Sequence, residues 1–465
     1  MDVRIKFLGG AQTVTGSKFL LEVGSYKVMV DCGLFQGPKE HRVRNWEWLP
    51  VDFFKIDGVV LTHAHLDHSG YLPRLYRSGY QGSIYCTQAT AELLEILLKD
   101  SAKLNIEEAI FARKKGYSRH QFPRPLYDMD DVNDTLPHIK NIPFDEAYIL
   151  QAGINVSFHK AGHILGAASL MFQIEGDHQR KRILFSGDLG RYNQPLMPDP
   201  TPFEETDILF IESTYGGRSH PDGDPKEAFK EIINRTTSRG GSVIIPSFAL
   251  GRTQNLLYYL RELFLDNTID DIPVFVDSPM AINVTHLYQE YDHLHKLNTE
   301  EGAPDIFSHP NFHYVTSQTE STALNERKGP CIIISASGMC TGGRILHHLY
   351  HRLSREQDSV FFVGYQAQGT RGHRLLSGEK KIKIFGEQVE VHCEIAEFQG
   401  LSAHADHNEL LRWLSNFKKA PKQTFIIHGE RDSSVALATA IRETLNWSNV
   451  TIPSFLQSFH LFEGI

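Results

Sequence analysis

The chain has 465 residues, of which 41% are hydrophobic and 22% charged, so it is a globular protein with length for about three domains. Its formal net charge of −9 excludes the overall electrostatic signature of a general nucleic-acid binder, so a polyanionic substrate would have to be attracted locally. Five scattered cysteines argue against a disulfide framework, and the lack of a signal peptide or of a long apolar run predicts a cytoplasmic protein with no membrane segment.

The predicted elements change character along the chain. The first 60 residues alternate apolar and polar positions with glycine breaks, which predicts a run of short antiparallel strands. Residues 89–104 have apolar side chains at helical spacing with neither Pro nor Gly, which predicts a helix. From about Asp207, apolar strands alternate with helices, which predicts a parallel, doubly wound α/β domain. The segments that carry this alternation are 207–212, 225–235, 242–246, 273–277, 331–335 and 360–364.

Residues 62–68 contain four metal-binding side chains at the end of a predicted apolar strand. These are His63, His65, Asp67 and His68. Alternate side chains of a strand face the same way, so His63 and His65 can face one metal. Asp67 and His68, in the following turn, can face a second metal about 3.5–4 Å away. The spacing therefore indicates a two-metal hydrolase, in preference to a polar loop that is rich in histidine by chance.

Further ligands are available at the ends of later strands. His163 lies among glycines in the segment 161–166, where the backbone can approach closely. Asp188 lies where a buried strand meets a turn. Taken alone, His163 is better explained as a core or turn histidine, and Asp188 is explained equally well as a turn residue. Together with the first motif, both are interpreted as metal ligands.

These residues, in this order and together with Asp31, resemble the metallo-β-lactamase superfamily. The resemblance implies an αββα sandwich with two Zn²⁺. It divides the ligands into three sets: one zinc is bound by His63, His65 and His163, the other by Asp67 and His68, and both by Asp188. Asp31 follows an apolar strand and would orient a ligand or the metal-bound water, although a strand-end turn residue is a plausible reading of it alone.

Three later motifs resemble those of the β-CASP nucleases and occur in the family order. They contain Glu212, His404 and His428. The resemblance implies that His428 completes the second zinc site, and that Glu212 orients His404, which would protonate the leaving oxygen. It also implies that an α/β domain is inserted into the sandwich. The predicted domains are a metallo-β-lactamase domain of residues 1–208 and 390–465 and a β-CASP domain of residues 209–389.

The net charge of the predicted two-zinc centre, together with the resemblance, predicts a zinc-dependent ribonuclease of the compact bacterial type. Two Zn²⁺, two ionised aspartates and one hydroxide carry about +1, which suits a phosphodiester with one negative charge. Zinc lowers the pKa of bound water toward about 7, so hydroxide can attack phosphorus while Asp67 holds its proton. RNA is favoured over DNA because RNA-processing members of the family have a histidine at the third motif, here His428.

Loops after the strands of the predicted insert are candidates for binding the phosphates of single-stranded RNA. The residues are Ser247, Arg252, Ser335, Ser337, Gly338, Arg371 and Arg374. Each loop alone is better explained as an ordinary strand-to-helix connection, which a doubly wound fold needs in any case. The resemblance also admits a homodimer, although no apolar helix stripe identifies an interface.

Three alternatives stay open. A hydrolase of small thioesters or lactones would use the same zinc motifs, but it does not need the insert, Glu212 or His404. A flavin-linked oxidoreductase on this scaffold would require carboxylates among the ligands and a flavin domain. A non-catalytic scaffold subunit would have lost ligands, whereas every ligand position is filled here. The choice between endonuclease and 5′ exonuclease action is not decided by the sequence.

Overall fold

The structure, a computed structural model, describes residues 2–115, 123–176, 179–297 and 305–464. It divides into two compact units. Unit 1 comprises Met1–Ser219 and His404–Ile465, and unit 2 comprises His220–Ala403. Among the helices of the described ranges, none is both long enough and apolar enough to cross a membrane.

The first part of unit 1 mixes short strands with helices. Its strands are β1 (Val3–Phe7), β2 (Phe19–Val23), β3 (Tyr26–Val30), β4 (Gly58–Val60), β5 (Ser83–Cys86), β6 (Ile139–Asn141), β7 (Ala147–Gln151), β8 (Ile154–Lys160), β9 (Ala168–Glu175), β10 (Arg180–Phe185) and β11 (Ile208–Glu212). Its helices are α1 (Lys39–Val43), α2 (Leu66–Ser69), α3 (Leu72–Arg77), α4 (Gln88–Lys115) and α5 (Met129–Thr135). The helix predicted for residues 89–104 lies within α4.

Unit 2 alternates helices and strands, and the chain then returns to unit 1. The helices of unit 2 are α6 (Pro225–Thr237), α7 (Arg252–Leu265), α8 (Pro279–Glu290), α9 (Gln318–Glu326), α10 (Ile345–Arg352) and α11 (Arg371–Leu376). Its strands are β12 (Val243–Pro246), β13 (Val274–Asp277), β14 (Phe312–Tyr314), β15 (Ile332–Ser335), β16 (Ser359–Phe362), β17 (Lys381–Ile384), β18 (Glu387–Glu390) and β19 (Glu394–Glu397). The returning segment forms α12 (His407–Leu414), β20 (Gln423–Ile427), α13 (Arg431–Leu445), β21 (Val450–Thr451) and β22 (Ser458–Phe462).

Two sheets of unit 1 face each other across an apolar core. One follows the order β22-β1-β2-β3-β4-β5-β6 and the other the order β21-β20-β11-β10-β9-β8-β7. Phe185 and Phe210 lie in the core between the sheets, stacked with ring centroids 4.2 Å apart. Their strand neighbours Leu184 and Ile211 point to the opposite face and pack with Trp413 of α12. Since α4 contacts β6 of the first sheet, helices lie against both sheets, and the predicted αββα sandwich is confirmed.

The main sheet of unit 2 follows the order β14-β13-β15-β12-β16-β19, and its strand pairings are parallel throughout. The strands β12, β15 and β16 are buried along their whole length, which is why their sequences are nearly continuous apolar runs. β17 and β18 form a separate antiparallel pair. The predicted parallel α/β insert is therefore confirmed.

Two sequence expectations are corrected by strand pairing. β11 pairs in parallel with β10 and β20, so residues 207–212 belong to the second sheet of unit 1 and do not open the insert. The compact units divide at Ser219/His220 and Ala403/His404, and the predicted domain boundaries after residues 208 and 389 stay a prediction. β4 pairs in parallel with β3, so the first 60 residues are not uniformly antiparallel.

Candidate metal centre

Except for His163, which follows β8, the candidate metal ligands of unit 1 lie beyond the carboxyl ends of neighbouring parallel strands. β3 and β4 are parallel neighbours in one sheet, and β10, β11 and β20 are parallel neighbours in the other. Loops that follow parallel strands emerge at the same edge, so residues far apart in sequence meet there. Asp31 directly follows β3 and His428 directly follows β20, and both have a positive φ, 59° and 47° respectively. That conformation is costly for residues other than glycine and is typical of functional sites.

Four of the predicted ligands form a first group, in which one ligand atom of each lies within 4.8 Å of the others: His63, His65, His163 and Asp188. Nδ1 of His65 lies 3.1 Å from Nε2 of His63 and 3.2 Å from Nε2 of His163. Oδ2 of Asp188 lies 3.5 Å and 3.7 Å from the same two nitrogens. Because β4 ends at Val60, His63 and His65 converge through the loop after the strand and not through strand alternation.

A second group consists of Asp67, His68 and His428. Oδ2 of Asp67 lies 3.9 Å from Nε2 of His68 and 3.8 Å from Nε2 of His428. Oδ1 of Asp188 lies 3.3 Å and 3.5 Å from the same nitrogens, so Asp188 presents one oxygen to each group. Asp67 and His68 lie in α2, and not in a turn as the sequence suggested.

Buried polar atoms of this centre call for a cation. Nε2 of His68 and Oδ1 of Asp188 face each other, and neither has a hydrogen-bond partner of good geometry among the described residues. Nδ1 of His68 lies 2.8 Å from a carboxylate oxygen of Asp31, so Nε2 is the ring nitrogen directed at Asp188. A buried carboxylate oxygen without a hydrogen-bond partner is costly unless a cation satisfies it. Imidazole nitrogens and carboxylate oxygens are ligands of zinc, so these residues fit a metal site.

The pKa values of three of the histidines also favour metal binding, whereas His68 is held in its protonated form by carboxylates until a metal replaces the proton. Burial and the neighbouring imidazoles lower the pKa of His63 and of His428 well below the usual value, and burial lowers the pKa of His65 to about 4. These three rings are therefore neutral at neutral pH, which is the form that binds metals. Burial opposes a charge on His68, but two neighbouring carboxylates outweigh burial and raise its pKa. Burial raises the pKa of Asp188.

Residues behind the ligands hold the imidazole rings in place. Asp31 accepts a hydrogen bond from the backbone N–H of Thr62 at 2.8 Å and another from its hydroxyl at 3.0 Å. The Thr62 hydroxyl also lies 3.0 Å from Nδ1 of His63, and the Ser17 hydroxyl lies 2.9 Å from Nδ1 of His428. Such contacts select the tautomer and orient the ring. Sequence reasoning identified Asp31 but missed Thr62, whose signal is its position beside the histidine motif, and Ser17, which has no local signal.

The Glu212–His404 pair lies beside the first ligand group. Nδ1 of His404 lies 3.3 Å from Oε1 of Glu212 and 3.9 Å from Oδ2 of Asp188. Glu212 is fully buried at the end of β11 and accepts hydrogen bonds from the N–H groups of Leu189 at 2.8 Å and Thr214 at 3.2 Å. Burial alone would lower the pKa of His404, but Glu212 and then Asp188 raise it to about 9. The Glu212 carboxylate is fixed by backbone N–H groups and in turn orients the His404 ring.

The residues predicted to bind phosphate lie at or after the carboxyl ends of β12, β15 and β16 in unit 2: Ser247, Arg252, Ser335, Ser337, Gly338, Arg371 and Arg374. The hydroxyls of Ser247 and Ser335 are buried and donate to backbone carbonyls, and the hydroxyl of Ser337 accepts from two N–H groups of its own loop. Arg371 donates to backbone carbonyls, and Arg374 forms an ion pair with a glutamate. A phosphate-binding role for these residues stays a prediction.

Comparison with known families assigns three segments of the chain. Residues 14–235 match the Metallo-beta-lactamase superfamily, residues 253–375 match the Beta-Casp domain, and residues 388–453 match the Zn-dependent metallo-hydrolase RNA specificity domain. The first and third segments together include every residue of the metal centre described above, as well as the Glu212–His404 pair.

Similar proteins align along most of the chain. Ribonuclease TTHA0252 of Thermus thermophilus is 36% identical over 442 residues, which are 94% of this chain and 95% of that protein. The RNase J-like protein of Methanocaldococcus jannaschii is 32% identical over 464 residues, covering 98% of each chain. Transcription termination factor FttA of the same organism is 30% identical over 454 residues, which are 95% of this chain and 69% of that factor.

Among solved structures, the crystal structure of a protein of unknown function from Enterococcus faecalis superposes with a TM-score of 0.55. The two sequences are 13% identical, and the match covers 99% of this chain and 100% of the other. At this identity the likeness shows the fold alone. The family matches and the relatives with 30–36% identity agree with the geometry of the site. The chain belongs to the β-CASP family of the metallo-β-lactamase superfamily.

Proposed function

We propose that this protein is a zinc-dependent ribonuclease that hydrolyses the phosphodiester bonds of single-stranded RNA. The observation that carries the proposal is the joint geometry of two ligand groups that share Asp188, with the Glu212–His404 pair 3.3 Å apart beside them. Two of the similar proteins are named as ribonucleases, and the third matched segment is described as an RNA specificity domain, which supports RNA as the substrate.

Two Zn²⁺ are the proposed cofactors. The ligands of one would be His63, His65 and His163, those of the other Asp67, His68 and His428, with one oxygen of Asp188 for each. When bound, zinc supplies Lewis-acid polarisation of the phosphodiester and activation of water at neutral pH. The neutral imidazoles and the carboxylates of this chain supply the donors that such ions need.

Proton transfers are assigned to side chains of the metal centre and of the Glu212–His404 pair. Asp67 is 22% exposed, so its carboxylate reaches the open side of the centre and can hold the proton of the attacking water. His404, oriented through Nδ1 by Glu212, would give the proton on Nε2 to the leaving oxygen. Asp31 would act through His68, because its carboxylate fixes the ring that faces Asp188.

RNA is preferred to a small thioester or lactone as the substrate because neither small substrate needs the inserted domain, and a thioester does not need the Glu212–His404 pair. A thiolate departs without help from an acid, whereas the alkoxide that leaves a phosphodiester gains from protonation. The loops of unit 2 at Ser247, Ser335, Ser337 and Gly338 would bind further phosphates, with charge from Arg252, Arg371 and Arg374. A cytoplasmic location and a homodimer, both expected from the sequence, stay predictions.

The test compares the zinc-loaded protein with its Asp67→Ala variant on single-stranded RNA and DNA of one sequence, each labelled at a 5′-monophosphate end. Asp134→Ala is the matched control, since Asp134 is an exposed carboxylate of α5 in the same unit. We expect RNA cleavage by the parent and by Asp134→Ala but not by Asp67→Ala. Labelled mononucleotide would indicate 5′ exonuclease action, and longer labelled fragments would indicate internal cutting. Absence of zinc-dependent RNA cleavage, or equal cleavage of DNA, would contradict the proposal.

A further inference from the structure

Three loops of unit 2 lie side by side at the carboxyl edge of its parallel sheet. They follow β12, β15 and β16, which are neighbours in the sheet, and comprise residues 247–251, 336–344 and 363–370. These residues are called the edge loops below. Doubly wound folds bind their ligands at this edge, so the side chains exposed there are candidates for ligand contact.

Two large aromatic side chains are exposed on the edge loops. Phe248 is 43% exposed and Tyr365 is 59% exposed. One part of the Phe248 ring packs on Gly338, since a Cβ at position 338 would lie 2.9 Å from Cδ2 of the ring. The contact therefore requires glycine at that position. An aromatic ring that is braced on one side and exposed elsewhere is suited to stacking with a flat partner.

Hydrogen bonds tie the edge loops to one another. The N–H of Ser247 donates to the carbonyl of Ser335 at 3.0 Å, which joins the ends of β12 and β15. The side-chain amide of Gln366 donates to the carbonyl of Gly338 at 2.9 Å, which joins the loops after β15 and β16. The aromatic rings are thus carried by an ordered scaffold, so little conformational entropy is lost when a ligand binds them.

The charge of the edge loops is opposite to that of the whole chain. The edge loops together with Arg252 and Arg371, which directly follow two of them, contain three arginines and no carboxylate, in a chain with a net charge of −9. Of these cations, Arg344 is paired with Asp277 at 2.7 Å. Arg252 lies beside the loop of Tyr365, because a Cβ at Gly364 would lie 2.9 Å from Nη1 of the guanidinium. Exposed aromatic rings next to a cation match the bases and phosphates of a single strand.

We propose that Phe248 and Tyr365 form a base-stacking platform for single-stranded RNA, with Arg252 holding an adjacent phosphate. The inference rests on the proposed ribonuclease function and adds to it the residues that contact the bases. A duplex is not the expected ligand, because its bases are already stacked on each other and offer no free face. Sequence reasoning assigned phosphates to residues of these loops and did not single out Phe248 or Tyr365.

Binding is measured in the zinc-loaded His404→Ala protein, which keeps every proposed zinc ligand and cleaves RNA slowly. The ligands are a fluorescent single-stranded RNA and an abasic ribose-phosphate chain of equal length and charge. We expect Phe248→Ala and Tyr365→Ala each to weaken RNA binding by roughly 5- to 150-fold and to leave the abasic chain unaffected. Phe248→Tyr, which keeps a ring, should restore affinity. Arg252→Ala should weaken both ligands alike. Phe385→Ala is the matched control, an exposed phenylalanine of the same unit outside the edge loops.

The outcomes separate the platform from the proposed function. RNA affinity unchanged in both aromatic variants would overturn the platform, even if the parent protein cleaves RNA. An equal loss for RNA and for the abasic chain would also overturn it, since the substitutions would then act through the scaffold. A parent that fails to cleave RNA, together with a ring-dependent loss of RNA binding, would refute the ribonuclease proposal while the platform stands.

Discussion

Two buried aspartates at strand ends, one in each unit, have opposite surroundings. Asp188 follows β10 in unit 1, and Asp277 ends β13 in unit 2; both are at most 2% exposed. Oδ1 of Asp188 has no hydrogen-bond partner among the described residues and faces imidazole nitrogens at 3.3 Å and 3.5 Å. Asp277 instead accepts hydrogen bonds from Ser321 at 2.6 Å, His348 at 2.7 Å and Arg344 at 2.7 Å.

Hydrogen-bond satisfaction, and not position in the fold, distinguishes a ligand from a structural anchor. Burial raises the pKa of Asp188, and its unpaired oxygen calls for a cation. Burial also opposes the charge of Asp277, but the hydrogen bonds from His348, Ser321 and Arg344 outweigh it and lower the pKa. Asp277 thus holds together the elements that follow β13, while Asp188 is left available to a metal.

The largest expected effect tests the chemistry beside Asp188. We expect His404→Ala to lower kcat for RNA by about 10²–10⁴-fold, because the leaving oxygen loses its proton donor. Zinc content, measured by elemental analysis, should stay that of the parent, since His404 belongs to neither of the two main ligand groups. With bis(p-nitrophenyl) phosphate the loss should be much smaller, because its leaving group needs no proton. Equal losses for the two substrates would contradict a role as the acid.

The next effect tests whether Asp277 is a structural anchor. We expect Asp277→Asn to lower the free energy of unfolding of unit 2 by about 1.5–3 kcal/mol, because the hydrogen bonds from Arg344, His348 and Ser321 lose their charged acceptor. In urea unfolding, tryptophan fluorescence reports on unit 1 alone, since Trp46, Trp48, Trp413 and Trp447 all lie in that unit. Circular dichroism reports on both units. The circular dichroism transition should shift and the tryptophan fluorescence transition should not. An equal shift of both transitions, or loss of bound zinc, would contradict the role of Asp277 as a structural anchor of unit 2.

The same carboxylate predicts a dependence on pH. Because the pKa of Asp277 is lowered in the folded state, its stabilising contribution is complete above the ordinary aspartate pKa of about 4 and is lost as the pH falls through the folded-state value. Acid unfolding of the zinc-free protein, followed by circular dichroism, should therefore be less steep for Asp277→Asn than for the parent. Identical acid transitions would contradict this linkage.

The smallest effect concerns Asp31, whose hydrogen bonds are satisfied like those of Asp277 but which contacts a metal ligand. We expect Asp31→Asn to weaken zinc binding or activity by about 10–100-fold, because the ring of His68 loses its orienting carboxylate. Competition with a chromophoric chelator measures the affinity. Asp134→Asn, an exposed aspartate, serves as the control and should bind zinc as the parent does. If zinc affinity and activity are unchanged, Asp31 does not orient His68 and only stabilises the loop at Thr62.

Local pattern predicted the elements of the fold better than their assignment to units. Strand β11 has the apolar texture of the strands in the insert, so the sequence grouped it with them, yet it pairs with β10 and β20. Apolar strands buried on both faces have the same composition in either sheet, so composition does not reveal the pairing partner. The pairing depends on contacts between residues far apart along the chain.

The sequence by itself determined the chemistry of the site. His63, His65, Asp67 and His68 lie within a short motif, and the order of the later motifs identifies the family, so the donor types can be read without coordinates. Only the tertiary structure decided which atoms face each other, as with the two oxygens of Asp188, and which hydroxyls are already occupied, as with Ser335. The reason is physical: side-chain identity is local, whereas burial and hydrogen-bond satisfaction depend on every element that packs around a residue.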